Sequence, residues 1–341
     1  MLAVVFIWTL WFHAFCFKVF SFLFVRGCAL AGLAGSDEVA EFLSVLKVGT
    51  RGVYAAGLKL FRQYYSGKGS IRDFLDGVEH DRFLPRHEKR RTAAETLNGF
   101  AAWLQNRGYA PKTVRVYVGA VQSLAKYYDV PISLRYVNLP TATPVNRKHP
   151  WTLAEVGEFV AAMDKPMCRS IAASILQSGL SISDLLALTY GDIKEELEKD
   201  ITPLCLDLTR KKTGVQFITF LGSWSVKLLK DYLANRKLEN ETPIYDVSAR
   251  TVHAYFRKTA QKFAGAFEGR NPYSPHSLRA AFRTFLSDHK VDPLYIEFWM
   301  GHKIPEQIRA YINKSRENWS QTYRQQAEPH LTPPQYKNSI I

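Results

Sequence analysis

Cysteine is scarce and scattered. The 341 residues hold four (Cys16, Cys28, Cys168, Cys205), and no two form a CxxC pair. That spacing excludes a zinc ribbon and a disulfide framework, and it fits a reducing compartment. Methionine is equally rare: after Met1 none appears until Met163. Acidic residues are outnumbered, 31 against 45 Lys plus Arg, which leaves a formal charge of +14 and a sequence pI near 9.5. Such a surplus points to nucleic acid or an anionic membrane surface as partner. Internal repeats and low-complexity tracts are absent, and 47% hydrophobic content excludes a mostly disordered chain. At roughly 100–200 residues per domain, two domains are expected.

Charge is nearly missing from residues 1–35, where Lys18 and Arg26 are the only formal charges. Three readings of this segment stand side by side. Met1–Val25 is long enough for a membrane helix, since about 20 apolar residues span the hydrocarbon core, with Lys18 awkwardly inside. A signal peptide is the second, with Ala29-Leu30-Ala31 as a cleavage-like site but no basic stretch ahead of the apolar run. The third is a translation start assigned too far upstream.

Basic charge is concentrated in the first half of the remainder. Residues 36–150 carry 18 basic and 10 acidic groups, whereas residues 151–341 carry 25 and 21. Strand patterns are missing from residues 36–128, which read as successive helices. Ser36 is placed to cap a helix with Val39, Phe42, Leu43 and Leu46 on one face. Tyr54, Leu58, Phe61 and Tyr65 continue a second stripe, and Ser70 with Asp73 opens a third segment. A longer helix is expected from Glu88, with Leu97, Phe100, Ala101 and Leu104 aligned, and it stops at Gly108. Pro111 suits the first turn of the next, which carries Val114, Tyr117, Val121, Leu124 and Tyr128. These segments predict a compact helical bundle. Residues 129–150 contain Pro131, Pro140, Pro144 and Pro150, so an extended linker is expected there. Thr152 and Glu155 form a capping box that opens a second domain over 151–330, leaving 331–341 as a tail. That domain reads as mostly helical with one hairpin, Leu204–Thr209 and Val215–Leu221.

Four stretches of the second domain follow in a recognisable order. They are SGLSISDLLALTYGDI (Ser178–Ile193), RKKTG (Arg210–Gly214), SPHSLRAAFRTFL (Ser274–Leu286) and MGH (Met300–His302), with Tyr311 nine positions after His302. Together they resemble the tyrosine recombinase, or phage integrase, superfamily, and look most like its archaeal integrases, over about residues 36–330. The resemblance implies a mainly α fold: a helical core-binding domain followed by an α+β catalytic domain with a small β-hairpin. It also implies a site-specific DNA recombinase in which a tyrosine attacks the scissile phosphate, giving a 3′-phosphotyrosyl link and a free 5′ hydroxyl. Phosphodiester energy is kept in the covalent intermediate, so no ATP, metal or other cofactor is implied.

Carried over by motif position, Tyr311 is the nucleophile and Arg279 the phosphate clamp. His276 and His302 contact the phosphate and assist proton transfer. Lys212 is the implied general acid, with Lys211 a near-equal alternative, and Asp184 matches an orienting acidic position. One position departs. Where the family has its first catalytic arginine this chain has Ser181, a residue that also reads as a helix N-cap. Losing an arginine on a transferring phosphoryl costs roughly 10³–10⁵ in rate, and Arg169 and Lys211 are the candidates to stand in for it. In the bundle, Arg86, Lys89, Arg90, Arg91, Lys112, Arg115 and Lys126 are the expected DNA-backbone contacts, joined by Lys211 in the hairpin. The implied partner is double-stranded DNA, gripped in a clamp and brought into a synaptic tetramer in the cytoplasm. A cleavage-impaired relative that occupies sites without cutting is the rival reading. A membrane-tethered DNA-binding protein is the third, conditional on residues 1–35 being an anchor.

Overall fold

The computed structural model describes residues 37–141, 149–210, 213–267, 269–309, 312 and 314–337. The readings of residues 1–35 and the Ser36 cap therefore lie outside the described residues. Among those described, no helix is long and apolar enough to cross a membrane. The chain divides into two compact units, residues 1–145 and 146–341.

Among the described residues, five helices build the first unit: α1 (Asp37–Ser44), α2 (Val48–Tyr65), α3 (Ile71–Phe83), α4 (Thr92–Asn106) and α5 (Pro111–Tyr127). Each contributes one apolar stripe to a shared core. Phe61 sits at its centre, edge-on to Phe74 and Phe100 at 5.1 and 5.2 Å. Local chemistry sets the helix ends. Ser70 and Asp73 close a reciprocal capping box on α3, and Pro111 occupies the first turn of α5.

Two expectations change here. The helix expected from Glu88 begins instead at Thr92. Arg91 takes a left-handed conformation at φ 53°, and the Asp81 carboxylate accepts the backbone N–H groups of Arg90 and Thr92. Residues 85–91 are thus an exposed loop carrying Arg86, Lys89, Arg90 and Arg91. The span 129–141 is also more than a connection. Val130, Ile132 and Val137 are buried in the first unit's core, and Leu134–Tyr136 forms a 3-10 turn. Apolar side chains at alternating positions anchor this stretch despite its prolines.

Among its described residues, the second unit is mainly helical around one two-stranded antiparallel sheet. It runs α6 (Leu153–Ala161), α7 (Pro166–Ser178), α8 (Ile182–Leu185), α9 (Lys194–Glu198), β1 (Leu204–Thr209), β2 (Gln216–Leu221), α10 (Ser223–Leu233), α11 (Ala249–Ala264), α12 (Pro275–Asp288), α13 (Pro293–Trp299), α14 (Glu306–Arg309), α15 (Arg316–Gln326) and α16 (Pro334–Lys337). The strands pair from Leu204 opposite Leu221 to Thr209 opposite Gln216, as the hairpin reading expects.

α7 is the central post. It packs against α10 and α12, and it is buried from Ser170 to Ser178, including four polar side chains. Burying those is tolerable only if they are hydrogen-bonded. Ser170 and Ser174 share the Tyr245 hydroxyl, and Gln177 donates to Thr332 while accepting the Ser225 N–H. Ser178 donates to the Ser174 carbonyl. This network fixes the C-terminal end of α7, where the motif at Gly179 begins. It also holds residues 331–337, expected to be a tail, within the domain. Leu331 and Thr332 are buried, and Tyr336 packs on Trp224 at 5.3 Å.

Candidate active site

α7 ends at Gly179 in the left-handed region, with φ 64°. A Cβ there would lie 2.7 Å from the Phe282 ring, so only glycine allows this close crossing of α7 and α12. The Gly179 carbonyl is thereby turned towards Arg279, which donates to it through Nη1. Arg279 lies on α12, whose start is fixed by Ser274 at the N-cap, Ser277 three residues on and Pro275 between them. Only 6% of Arg279 is exposed. Its Nη2 donates to the Met300 carbonyl at 2.8 Å and to His302 Nε2 at 3.0 Å.

The glycine and histidine of the MGH motif have a backbone reason. α13 closes with the His302 N–H on the Glu297 carbonyl and the Gly301 N–H on the Phe298 carbonyl, with Gly301 at φ 65°. This paired pattern is the Schellman end, and it demands a residue that accepts the left-handed conformation. It brings His302 beside its own helix, where Nδ1 meets the Glu297 carboxylate. Arginine only donates, so Nε2 is the acceptor and the neutral ring carries its proton on Nδ1, facing Glu297. The other Glu297 oxygen lies 2.8 Å from Arg283.

Ser181 is the N-cap of α8. Its hydroxyl accepts the Asp184 N–H at 3.3 Å and donates to Asp184 Oδ2 at 2.7 Å. Asp184, 9% exposed at its side chain, also stands 3.6 Å from Arg210 Nε. Arg210 Nη1 in turn donates to the Gly301 carbonyl at 3.0 Å. Arg279 and Arg210 therefore hold the adjacent carbonyls of Met300 and Gly301. Burial first, and then the charge of Arg210, lower the Arg279 pKa to about 10, against the opposing pull of Asp184 and Glu297. The guanidinium remains charged at neutral pH.

Arg279, His302 and exposed His276 line one open cleft of about 540 Å³, together with Arg283 and the His149–Trp151 segment. Four of the expected site residues, Asp184, His276, Arg279 and His302, thus come together with Ser181. Tyr311, Lys211 and Lys212 lie outside the described residues. Arg169 does not join the group: its Nε donates to the Met163 carbonyl at 2.7 Å. Tyr323, the next tyrosine after Tyr311, is fully buried and donates to the Gln177 carbonyl at 2.6 Å, which excludes it as a nucleophile. Burial raises the Cys205 thiol to about 11, so this free cysteine is inert as well.

Sequence reasoning missed two residues here. Arg210 belongs to the RKKTG stretch, but nothing local distinguishes it from Lys211 and Lys212. Glu297 lies five residues before His302, a spacing that gains meaning only once the Schellman end is seen. In the first unit, Arg86, Lys89, Arg90, Arg91, Lys112, Arg115 and Lys126 are all exposed. Lys89 donates to the Arg82 carbonyl, Arg115 to the Pro140 carbonyl, and Arg91 stacks 4.8 Å above the Tyr136 ring.

Residues 152–318 match the phage integrase family. Tyrosine recombinase XerD of Ralstonia nicotianae is 25% identical over 279 residues, 79% of this chain and 84% of the relative. Tyrosine recombinase XerC of Pelotomaculum thermopropionicum is 26% identical over 245 residues, 66% of this chain and 78% of the relative. Among solved structures, XerH site-specific recombinase bound to palindromic difH substrate aligns with a TM-score of 0.54 at 15% identity. That alignment covers 80% of this chain and 78% of the other. A lambda integrase dimer bound to a COC′ core site aligns equally well, at 17% identity over 81% and 92% of the two chains. These two likenesses concern the fold, and the family match concerns the domain that holds the cleft. That catalytic domain belongs to the phage integrase family, and the chain is a tyrosine recombinase, an enzyme that breaks and rejoins DNA strands at specific sites.

Proposed function

We propose that the protein binds double-stranded DNA and cuts it with Tyr311, Arg279 holding the scissile phosphate in the cleft described above. The observation that carries this reading is the buried Arg279, pinned by two carbonyls with His302 and its Glu297 partner beside it. The Tyr311 oxygen forms a bond to phosphorus as the bond to the 5′ oxygen breaks. The phenolic proton passes to a base, for which His276 is the candidate, and the leaving oxygen takes a proton from Lys212 or Lys211. The Arg279 guanidinium stabilises the charge that builds on the non-bridging oxygens. Asp184 orients rather than reacts. Exposed Arg86, Lys89, Arg90, Arg91, Lys112, Arg115 and Lys126 of the first unit hold the DNA backbone, with Lys211 from the hairpin.

The curated relatives are bacterial Xer proteins, so the likeness to archaeal integrases rests on the motifs alone. Assembly of four copies around paired sites belongs to the same reading. Ser181 supports one rival, a relative that occupies sites without cutting them, because its short hydroxyl is committed to Asp184. Both readings are tested with nicked duplexes carrying sites selected from a randomised pool by the full-length protein. A covalent adduct on a denaturing gel that disappears in Tyr311→Phe, with binding retained, supports the recombinase reading. Binding without any adduct supports the rival.

A further inference from the structure

Position 181 leaves a gap in the phosphate site, and among the described residues Arg210 stands against the Asp184 carboxylate that Ser181 holds. Ser181 is short, and its hydroxyl is spent on capping α8 and on Asp184. Asp184 is nearly buried, and the guanidinium it faces comes not from residue 181 but from the end of β1, where Arg210 Nε stands 3.6 Å away. The Arg210 backbone is held firmly. Its N–H donates to Val215 at 2.9 Å, and its carbonyl accepts from Gly214 at 2.8 Å, closing the hairpin turn. Its Nη1 is tied to the Gly301 carbonyl, next to the Met300 carbonyl that holds Arg279. Nη2 makes no hydrogen bond among the described residues. Two guanidiniums are thus kept side by side, one of them buried, although like charges repel. Burial is the larger cause of the depressed Arg279 pKa, and the charge of Arg210 adds to it. An anion between them would relieve the repulsion, and the charge would be greatest as the phosphorane forms. Arg169, the other arginine considered for this place, is engaged at Met163 instead.

We propose that Arg210 is a catalytic residue that supplies, from the hairpin, the phosphate-binding guanidinium that position 181 lacks. This rests on the recombinase reading above. In that role Asp184 positions Arg210, and Ser181 serves the fold by capping α8.

The test measures single-turnover adduct formation by the full chain on the selected nicked duplexes, alongside duplex affinity and urea unfolding. The variants are Arg210→Ala, Arg210→Lys, Ser181→Arg and Arg210→Ala combined with Ser181→Arg. Arg210→Ala is expected to slow adduct formation by about 10³-fold or more while duplex affinity changes by less than about threefold. Arg210→Lys keeps the charge without the planar fork and should recover only part of the rate. The combined variant should regain at least about tenfold over Arg210→Ala, a rescue that a merely structural role would not give. Cleavage by Arg210→Ala at the wild-type rate overturns the inference and leaves the recombinase reading intact. So does loss without rescue in the combined variant. A silent wild type whose Ser181→Arg variant cleaves would show the place to be empty, which also overturns it. No adduct from any variant overturns the recombinase reading, and this inference with it.

Discussion

At the scale of single residues, the candidate site is built by turning carbonyls and a ring towards two arginines. The His302 ring is set from both sides: Arg279 donates to Nε2, and Glu297 receives the Nδ1 proton. Glu297→Gln keeps the shape but removes the charge that would stabilise a protonated ring. Adduct formation should fall by about 10²-fold with duplex affinity nearly unchanged. Arg283→Ala, which removes only the outer, mostly exposed partner of Glu297, should change the rate little. Single-turnover rates of the two variants compared across pH decide this, and equal losses would remove Glu297 from the role. Gly179 has a steric task. An alanine there meets the Phe282 ring and sits in the left-handed region, which alone costs roughly 1–2 kcal/mol. Gly179→Ala should therefore lower the urea midpoint, and it should slow cleavage because the carbonyl holding Arg279 moves with it. An alanine variant of wild-type stability would refute the crossing argument.

At the scale of elements, what was legible in the sequence is what neighbouring residues decide. The stripes of α2 and α5, the capping boxes at Ser70 and Thr152, and the hairpin are all local in origin, and they stand where their residues put them. That Arg279 and His302 meet in space was legible for a related reason, since each sits in a short motif that also builds its own helix end. The start of α4 was not legible, because Asp81 reaches across from α3 to take the N–H groups that flank Arg91. Nor was the role of Arg210, whose carbonyl partner is 91 residues away. The chain end was misread for the same cause, its anchors being Gln177 and Trp224. That end carries a pH dependence. His330 stacks on His289 with ring centroids 3.7 Å apart. Burial, followed by the charges of His289 and Lys337, holds the His330 pKa below its usual 6.5. The unfolded chain then takes up this proton first, so stability tied to neutral His330 is present above about pH 6.5 and is lost as pH falls through the lower folded-state value. Urea midpoints at pH 7.5 and 5.5 should therefore differ more in wild type than in His330→Gln. Equal differences would show that docking of the chain end is indifferent to this ring.

At the scale of the whole molecule, each unit has its own core, and the basic surplus lies mostly in the smaller one. α1 is tied into the first unit: Val39, Phe42 and Leu43 are buried, and the Tyr128 hydroxyl donates to the Glu38 carbonyl at 2.9 Å. A chain lacking residues 1–35 should accordingly unfold cooperatively and bind duplex DNA. Binding itself is where the surplus charge can be measured. Lys or Arg side chains that touch phosphates release condensed counterions, so the logarithm of affinity falls linearly with that of salt, by about 0.9 per phosphate contact on duplex DNA. Residues 85–91 place Arg86, Lys89 and Arg90 on one exposed loop, clear of the hydrophobic core. Replacing all three with glutamine should leave the urea midpoint within experimental error. The salt slope should become shallower by about 2–3, equally for selected and random duplexes, because phosphate contacts carry no sequence information. Measuring affinity at several salt concentrations with both duplexes separates the outcomes. An unchanged slope would assign the loop to solvent and move the phosphate contacts to Lys112, Arg115 and Lys126 on α5. A loss confined to the selected duplex would make the loop a reader of bases.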